Sequence, residues 1–297
     1  MEFNVKTIDP SYDFTVTGAS YAGKPRGNTV MYVSKKVERL LRNLREVSQC
    51  LVFVEDTVVI PEGLSAKHCF VRTANPQAAY AALLLRESAR DDQEERRRKY
   101  TLTEGGYTIG ENVVVGENAR IEPGVLLGHD VVIGRNAVIL AGAVIKHAVI
   151  GDNFYCNENA VVGENAFVMA EDEAGDKFRI PTLGRVLIGD DVEIGALDGI
   201  CRGSAGDTVI EDHAKLSALC QISHDASIGR NTEITGGCAV GGFTRIGAHC
   251  FLGLRSAIKN RVTVGNDCVI GMGSVVLHDV PDGLTVCGNP ARPLLKE

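Results

Sequence analysis

The 297-residue chain contains no tryptophan, and aromatic residues make up only 5% of it. With 44% of its residues hydrophobic, any core it builds must therefore be aliphatic. No apolar run approaches the ~18 residues that would mark a membrane span. The opening "MEFNVKTIDP" lacks the basic-then-apolar pattern of a secretory leader, so a cytoplasmic setting is expected. Basic charge is not in excess. The formal net charge is −7, which disfavours a nucleic-acid partner. The nine cysteines include no Cys-x-x-Cys pair. That spacing argues against a metal site, and free thiols in a reducing compartment are the expectation.

What is abundant is glycine, at 33 residues, arranged with a period. Aliphatic residues followed by Gly or a small polar residue recur every six positions at Ile109, Val115, Ile121, Leu127, Ile133, Ile139 and Ile145. One residue is lost before the series resumes at Ile150, Cys156, Val162 and Val168. After "MAEDEAGDKFRIPTLGRVL" come Ile188, Ile194 and Ile200, then a four-residue excess. From Ile210 to Val276 twelve markers follow in strict register. Neither the 3.6 period of a helix nor the 2 of an ordinary strand fits. Each hexad instead makes a short strand and a turn, and three hexads close a triangular coil of 18 residues. Coils stack as parallel strands ~4.8 Å apart with the markers pointing inward. Cys220, Cys238, Cys250 and Cys268 fall two residues before a marker, beside Thr232, Thr244, Ser256 and Ser274. A structural corner role is expected for these four thiols.

Residues 1–100 lack the hexad and read as a small α/β domain with its linker helix. "NTVMYVS", "CLVFVED" and "CFVRTA" are strand-like. "KKVERLLRNLREV" is expected to be a helix burying Val37, Leu40, Leu41 and Leu44, and "NPQAAYAALLLRES" a second one. The prism is expected over 101–280 with an interrupting loop at 169–187, and a tail at 281–297 beyond its end.

The stretch "IPTLGRVLIGDDVEIGALDGICRGSAGDTVIEDHAKLSALCQISHDASIGRNTEITGG" resembles the UDP-3-O-acylglucosamine N-acyltransferase family of lipid A synthesis, within the hexapeptide-repeat acyltransferases. The resemblance covers residues 25–280 and is strongest over 181–255. It implies a mainly β fold, a left-handed parallel β-helix with a small N-terminal α/β domain that contacts the nucleotide. It also implies a homotrimer, with the acidic loop at 171–176 reaching a neighbour's pocket. By the same resemblance His224 is the general base and Gly242, one coil on, the oxyanion donor. The chemistry suits the residues: an imidazole accepts a proton near neutral pH, and a glycine N–H can approach a substrate closely. Asp225 is either the acidic partner of that base, as in nucleotide-amino-sugar acetyltransferases, or points elsewhere along the strand. The other six histidines lack such a motif context.

Departures from the family stand at Ser217, Ala218, Cys201 and Arg261. The ending "GMGSVVLHDVPDGLTVCGNPARP" resembles coenzyme A-dependent sugar acetyltransferases. A short acyl-CoA, acetyl-CoA foremost, is therefore the expected co-substrate, with Arg255, Lys259, Arg261 and Arg292 as phosphate contacts. No bound cofactor is expected. Tyr32 either stacks on a nucleotide base or is a buried strand tyrosine. The expected activity is N-acylation of a nucleotide-linked amino sugar in lipopolysaccharide or glycan synthesis. The alternatives are the lipid A N-acyltransferase with an acyl carrier protein donor, an O-acetyltransferase, or a non-catalytic scaffold.

Overall fold

The computed structural model describes residues 1–294, and of residues 90–92 the backbone alone. The last three residues of the tail thus lie outside the described residues. Two compact units are formed. One joins Met1–Arg97 with Phe167–Leu183, and the other joins Arg98–Ala166 with Gly184–Glu297. The hairpin that interrupts the hexads, Met169–Glu171 with Lys177–Arg179, thus packs with the N-terminal residues. Asn75 and Gln77, at the start of the helix Pro76–Glu95, donate to the carbonyls of Glu171 and Met169. Val168, a marker by count, sits beside this hairpin and not in the prism.

The N-terminal unit centres on a four-stranded parallel sheet in the order Gly18–Ala19, Thr29–Val33, Leu51–Val54, Cys69–Arg72. Its two inner strands, Thr29–Val33 and Leu51–Val54, are rich in valine and buried on both faces, as inner parallel strands require. Lys35–Glu46 forms 3-10 turns, not the α-helix expected. Val37 breaks it with non-helical backbone angles, as a β-branched residue does easily. The residues it buries, Leu41 and Leu44, are three apart and so fall on one face of a 3-10 turn.

The second unit is the left-handed prism. Its three faces are built of two- and three-residue parallel strands, each hydrogen-bonded to the strand one coil on. On the first face Gln221 pairs with Ala239 and Ile222 with Val240, on the second Ser227 with Arg245, and on the third Glu233 with Phe251. The markers Ile200, Ile222, Ile228, Ile234, Leu252 and Ile270 are fully buried. The stack does not end at Val276. Val280 bridges to Val264, Thr285–Cys287 pairs in parallel with Val269–Ile270, and Arg292–Pro293 closes it antiparallel. Inside the tail, Val286 supplies an apolar side chain to the core beside Val280, and the step of four from Val276 to Val280 breaks the hexad spacing.

Corners decide which polar residues the prism accepts. Where the small side chain two residues before a marker carries a donor, it satisfies a turn carbonyl of the next coil. Cys238 donates to Gly253 O, Cys250 to Gly265 O, Thr232 to Gly247 O and Thr244 to Lys259 O. Cys, Thr and Ser therefore interchange there because each is a small donor. A second corner position adopts left-handed backbone. In the early coils it carries an amide ladder, with Asn118 donating to Asn136, Asn136 to Asn153 and Asn153 to Asp191. His213 and His249 occupy this same column.

Asp198 is the acidic member of the corner column that continues through Cys220, Cys238, Ser256 and Ser274. It is 1% exposed. Burial pushes its carboxyl up to about 7, although the N–H groups of Cys220 and Gly195 donate to it. A carboxyl raised in the folded state stabilises the fold at low pH. That contribution is lost as pH climbs from about 4, where the unfolded group ionises, toward 7, where the folded one does. In Asp198→Ser, urea titrations should show the stability difference from the parent moving in the variant's favour across that window. The slope is at most about 1.4 kcal/mol per pH unit. A difference independent of pH would contradict this account.

Candidate active site

Every irregularity of the repeat falls at one corner, between the first and second faces. There the lost residue shortens the turn at 146–148, so that Val132 pairs with Val149. There too the hairpin segment leaves after Glu164 and returns at Val186. The four-residue excess makes a loop at 203–207, so that Gly199 pairs with Gln221. Directly above that loop sits His224.

Asp225 has left-handed backbone, φ 57°. That turn swings its side chain back, and its Oδ2 lies 2.8 Å from His224 Nδ1. The alternative, an Asp pointing away along the strand, does not arise because residue 225 is a corner and not a strand residue. The excess loop cradles the carboxylate. Ser204 donates through N at 2.8 Å and Oγ at 2.5 Å, and Gly206 N at 2.7 Å. The Asp225 N–H donates in turn to Thr208 Oγ1. Burial pushes the Asp225 carboxyl up, but the hydrogen bonds from His224, Ser204 and Gly206 outweigh it and hold the group below its ordinary value. With a carboxylate on Nδ1, that nitrogen carries the ring proton and Nε2 is left as an acceptor.

Gly242 lies one coil above. A Cβ there would stand 2.7 Å from His224 Nε2, so only glycine leaves the imidazole its place. The Gly242 carbonyl accepts from Arg261 N, while its N–H has no hydrogen-bond partner among the described residues. A proton acceptor beside an unpaired N–H is what acyl transfer needs: a base for the nucleophile and a donor for the tetrahedral oxyanion.

The residue after it, Phe243, gives no signal in the hexad reading beyond being an aromatic at a corner. Its ring meets His224 edge to face, centroids 5.1 Å apart at 88°. The Arg261 guanidinium lies over that ring, 4.3 Å from its centroid. Three residues before His224, Gln221 Nε2 donates to Glu164 Oε1 and to Cys201 Sγ on the coils below, and the Cys201 thiol donates to the same carboxylate. Burial, then Glu164, push that thiol up to about 12. Cys201 is thus a hydrogen-bonding thiol and not a nucleophile.

The four cations expected on one nucleotide path are divided. Lys259 and Arg261 share the His224 corner. Arg255 turns the corner between the third and first faces, and Arg292 lies in the closing strand of the third face. Residues six apart occupy successive corners, so Arg255 and Arg261 cannot share one. Tyr32 is half-buried, its ring 5.2 Å from that of Tyr80. Among the other histidines, His129 Nδ1 accepts from Glu111 N, and His68 is buried between Cys50 N and Leu44 O. Burial and then Arg202 push His147 down to about 4, and His278 is exposed.

Because its folded carboxyl is held low, Asp225 contributes stability above the unfolded pKa of about 4, and that contribution is lost as pH falls further. Asp225→Asn should therefore cost about 1–3 kcal/mol at pH 7. The deficit should shrink in acid, as followed by thermal melts from pH 7 down to about 3. A deficit unchanged by pH would mean that the carboxylate charge is not what the 203–207 loop holds.

Comparison with known proteins shows what the chain is similar to. Residues 109–199 match the family model "GMPPB C-terminal domain", and residues 244–278 match "Hexapeptide repeat of succinyl-transferase". A UDP-3-O-acylglucosamine N-acyltransferase of Methylorubrum extorquens (strain PA1) is 35% identical over 147 residues, 50% of this chain and 42% of that protein. The enzyme of the same name from Herminiimonas arsenicoxydans is 38% identical over 133 residues, 45% and 38% of the two chains. The chain thus spans less than half the length of these relatives. The UDP-N-acetylglucosamine O-acyltransferase structure from Moraxella catarrhalis superposes with a TM-score of 0.54 at 22% identity. It covers 63% of this chain and 73% of that one. The Arabidopsis UDP-N-acetylglucosamine acyltransferase does so at 0.55 and 24%, over 65% and 73%. These two structures share the fold.

Proposed function

We propose that this chain, a left-handed β-helix hexapeptide-repeat protein resembling the UDP-3-O-acylglucosamine N-acyltransferases, transfers an acyl group to the amino group of a UDP-linked amino sugar. The observation that carries the reading is the His224–Asp225 pair beneath the unpaired Gly242 N–H. His224 Nε2 takes the proton of the neutral amine as its nitrogen attacks the thioester carbonyl. The new C–N bond leaves an oxyanion, which accepts a hydrogen bond from Gly242. Collapse breaks the C–S bond, and the protonated imidazole returns its proton to the departing thiolate. Asp225 holds the tautomer throughout and balances the imidazolium charge.

The donor in this reading is an acyl chain on acyl carrier protein. The lipid A N-acyltransferases that the chain resembles support it, and Arg255, Lys259, Arg261 and Arg292 do not line one corner, so they do not by themselves mark a coenzyme A path. The N-terminal unit is proposed to hold the nucleotide, and the assembly is proposed to be a trimer in the cytoplasm. No helix among the described residues is long and apolar enough to cross a membrane.

The test is mass spectrometry of products from a UDP-3-O-acylglucosamine acceptor with acyl carrier protein donors of graded chain length, beside acetyl-CoA. Amide product from the carrier protein donors is expected. Acetylation from CoA alone would return the donor to coenzyme A, and no product from any pair would overturn the reading. In the active pair His224→Ala should lower turnover about 10²–10⁴-fold with the fold retained. Gly242→Ala should do the same by driving a methyl into the imidazole.

A further inference from the structure

We propose that Phe243 is a positioning residue that fixes the plane of the His224 imidazole, backed by Arg261. The proposal rests on the function just proposed. Its starting point is the backbone. Asp225, Phe243 and Arg261 stack on successive coils at one corner, and all three are left-handed, with φ of 57°, 59° and 65°. In early coils the same corner is turned by Asn112 and Asp130, residues whose short polar side chains tolerate this region. A phenylalanine there is strained, and the corner itself would be better served by asparagine. Leu197 and Leu219 are left-handed at other corners as well, so the backbone alone assigns no role, and the task of the Phe243 side chain is read from what it touches.

That task is visible in its contacts. The Phe243 N–H donates to the His224 carbonyl at 3.0 Å, and its ring stands edge-on to the imidazole at 88°. The bond to Asp225 anchors the imidazole at Nδ1, and Gly242 above it offers no side chain to pack on the ring. The Phe243 ring supplies that packing contact. Behind it the Arg261 guanidinium lies 4.3 Å from the ring centroid, close enough for cation–π attraction to hold the phenyl group against the histidine. The two residues thus serve Nε2 through His224.

The decisive variant is Phe243→Asn, which suits the left-handed corner and removes the ring. Its melting temperature should equal or exceed that of the parent. With the UDP-amino sugar and the acyl carrier protein donor, kcat should fall about tenfold while both KM values stay within about twofold, since a misaimed base affects the chemical step. Phe243→Tyr, which keeps the ring, should restore kcat. A substrate-free readout separates this proposal from the function it rests on. In protein labelled only at histidine, the His224 ring resonances, identified by their loss in His224→Gln, should move in Phe243→Asn and broaden in Arg261→Gln. If the parent shows no acyl transfer, the proposed function fails, and the resonances still decide the clamp. Unmoved His224 resonances, or an unchanged kcat in Phe243→Asn, would overturn it. If Phe243→Asn does not fold, unaltered His224 signals in Arg261→Gln would do so.

Discussion

The structure depends on the hydrogen-bond ladder between strands one coil apart. Each two-residue strand has its N–H and C=O groups satisfied only by strands immediately above and below it. A strand out of register with its neighbours would leave those groups unpaired. The strand register is therefore a backbone requirement, and the aliphatic markers follow from it as the side chains left pointing inward. It also explains why cysteine, threonine and serine recur before the markers. The turn carbonyls at the corners lie outside the strand ladders, and a small donor side chain there reaches one of them.

The same constraint confines variation to corners, where length can change without disturbing the ladder. This chain places all of its irregularities at a single corner: a shortened turn, the departure and return of the hairpin segment, and the 203–207 loop. They stack directly under His224. The excess loop is the part with chemical consequence, because its backbone N–H groups and Ser204 keep the Asp225 carboxylate charged although it is buried. The left-handed corner supplies the rest. Backbone that is merely a turn elsewhere here folds an aspartate back onto its own neighbour and presses a phenylalanine against it from above. The fold's rule for turning corners and the site's geometry are one set of dihedral angles.

Legibility followed these physical lines. The period from Ile210 to Val276 was readable because one residue class repeats at one spacing, and the valine-rich segments of the N-terminal unit were readable as strands of an α/β domain. The 3-10 turns at 35–46 were not, since an apolar spacing of three or four suits either helix and the break at Val37 is a matter of backbone angle. The end of the prism was placed at residue 280 because the hexad spacing breaks after Val276, yet Thr285–Cys287 continues the stack with Val286 in the core. Counting in sixes could have separated Arg255 from Arg261, as six residues lead to the next corner. Phe243 could have been noticed as the aromatic standing 18 residues after Asp225.

The sequence by itself determined the prism, its pitch and the column on which His224 and Gly242 stand, because a strict repeat converts residue number directly into position. It could not decide where side chains at the corners point. Asp225 is adjacent to His224 in any conformation, but only a left-handed φ brings its carboxylate to Nδ1. Glu164, Cys201 and Gln221 meet across 57 residues because the hairpin segment leaves and rejoins at one corner. A repeat states which residues stack; the dihedral angles of its irregular turns, set by local hydrogen bonds, state which of them touch.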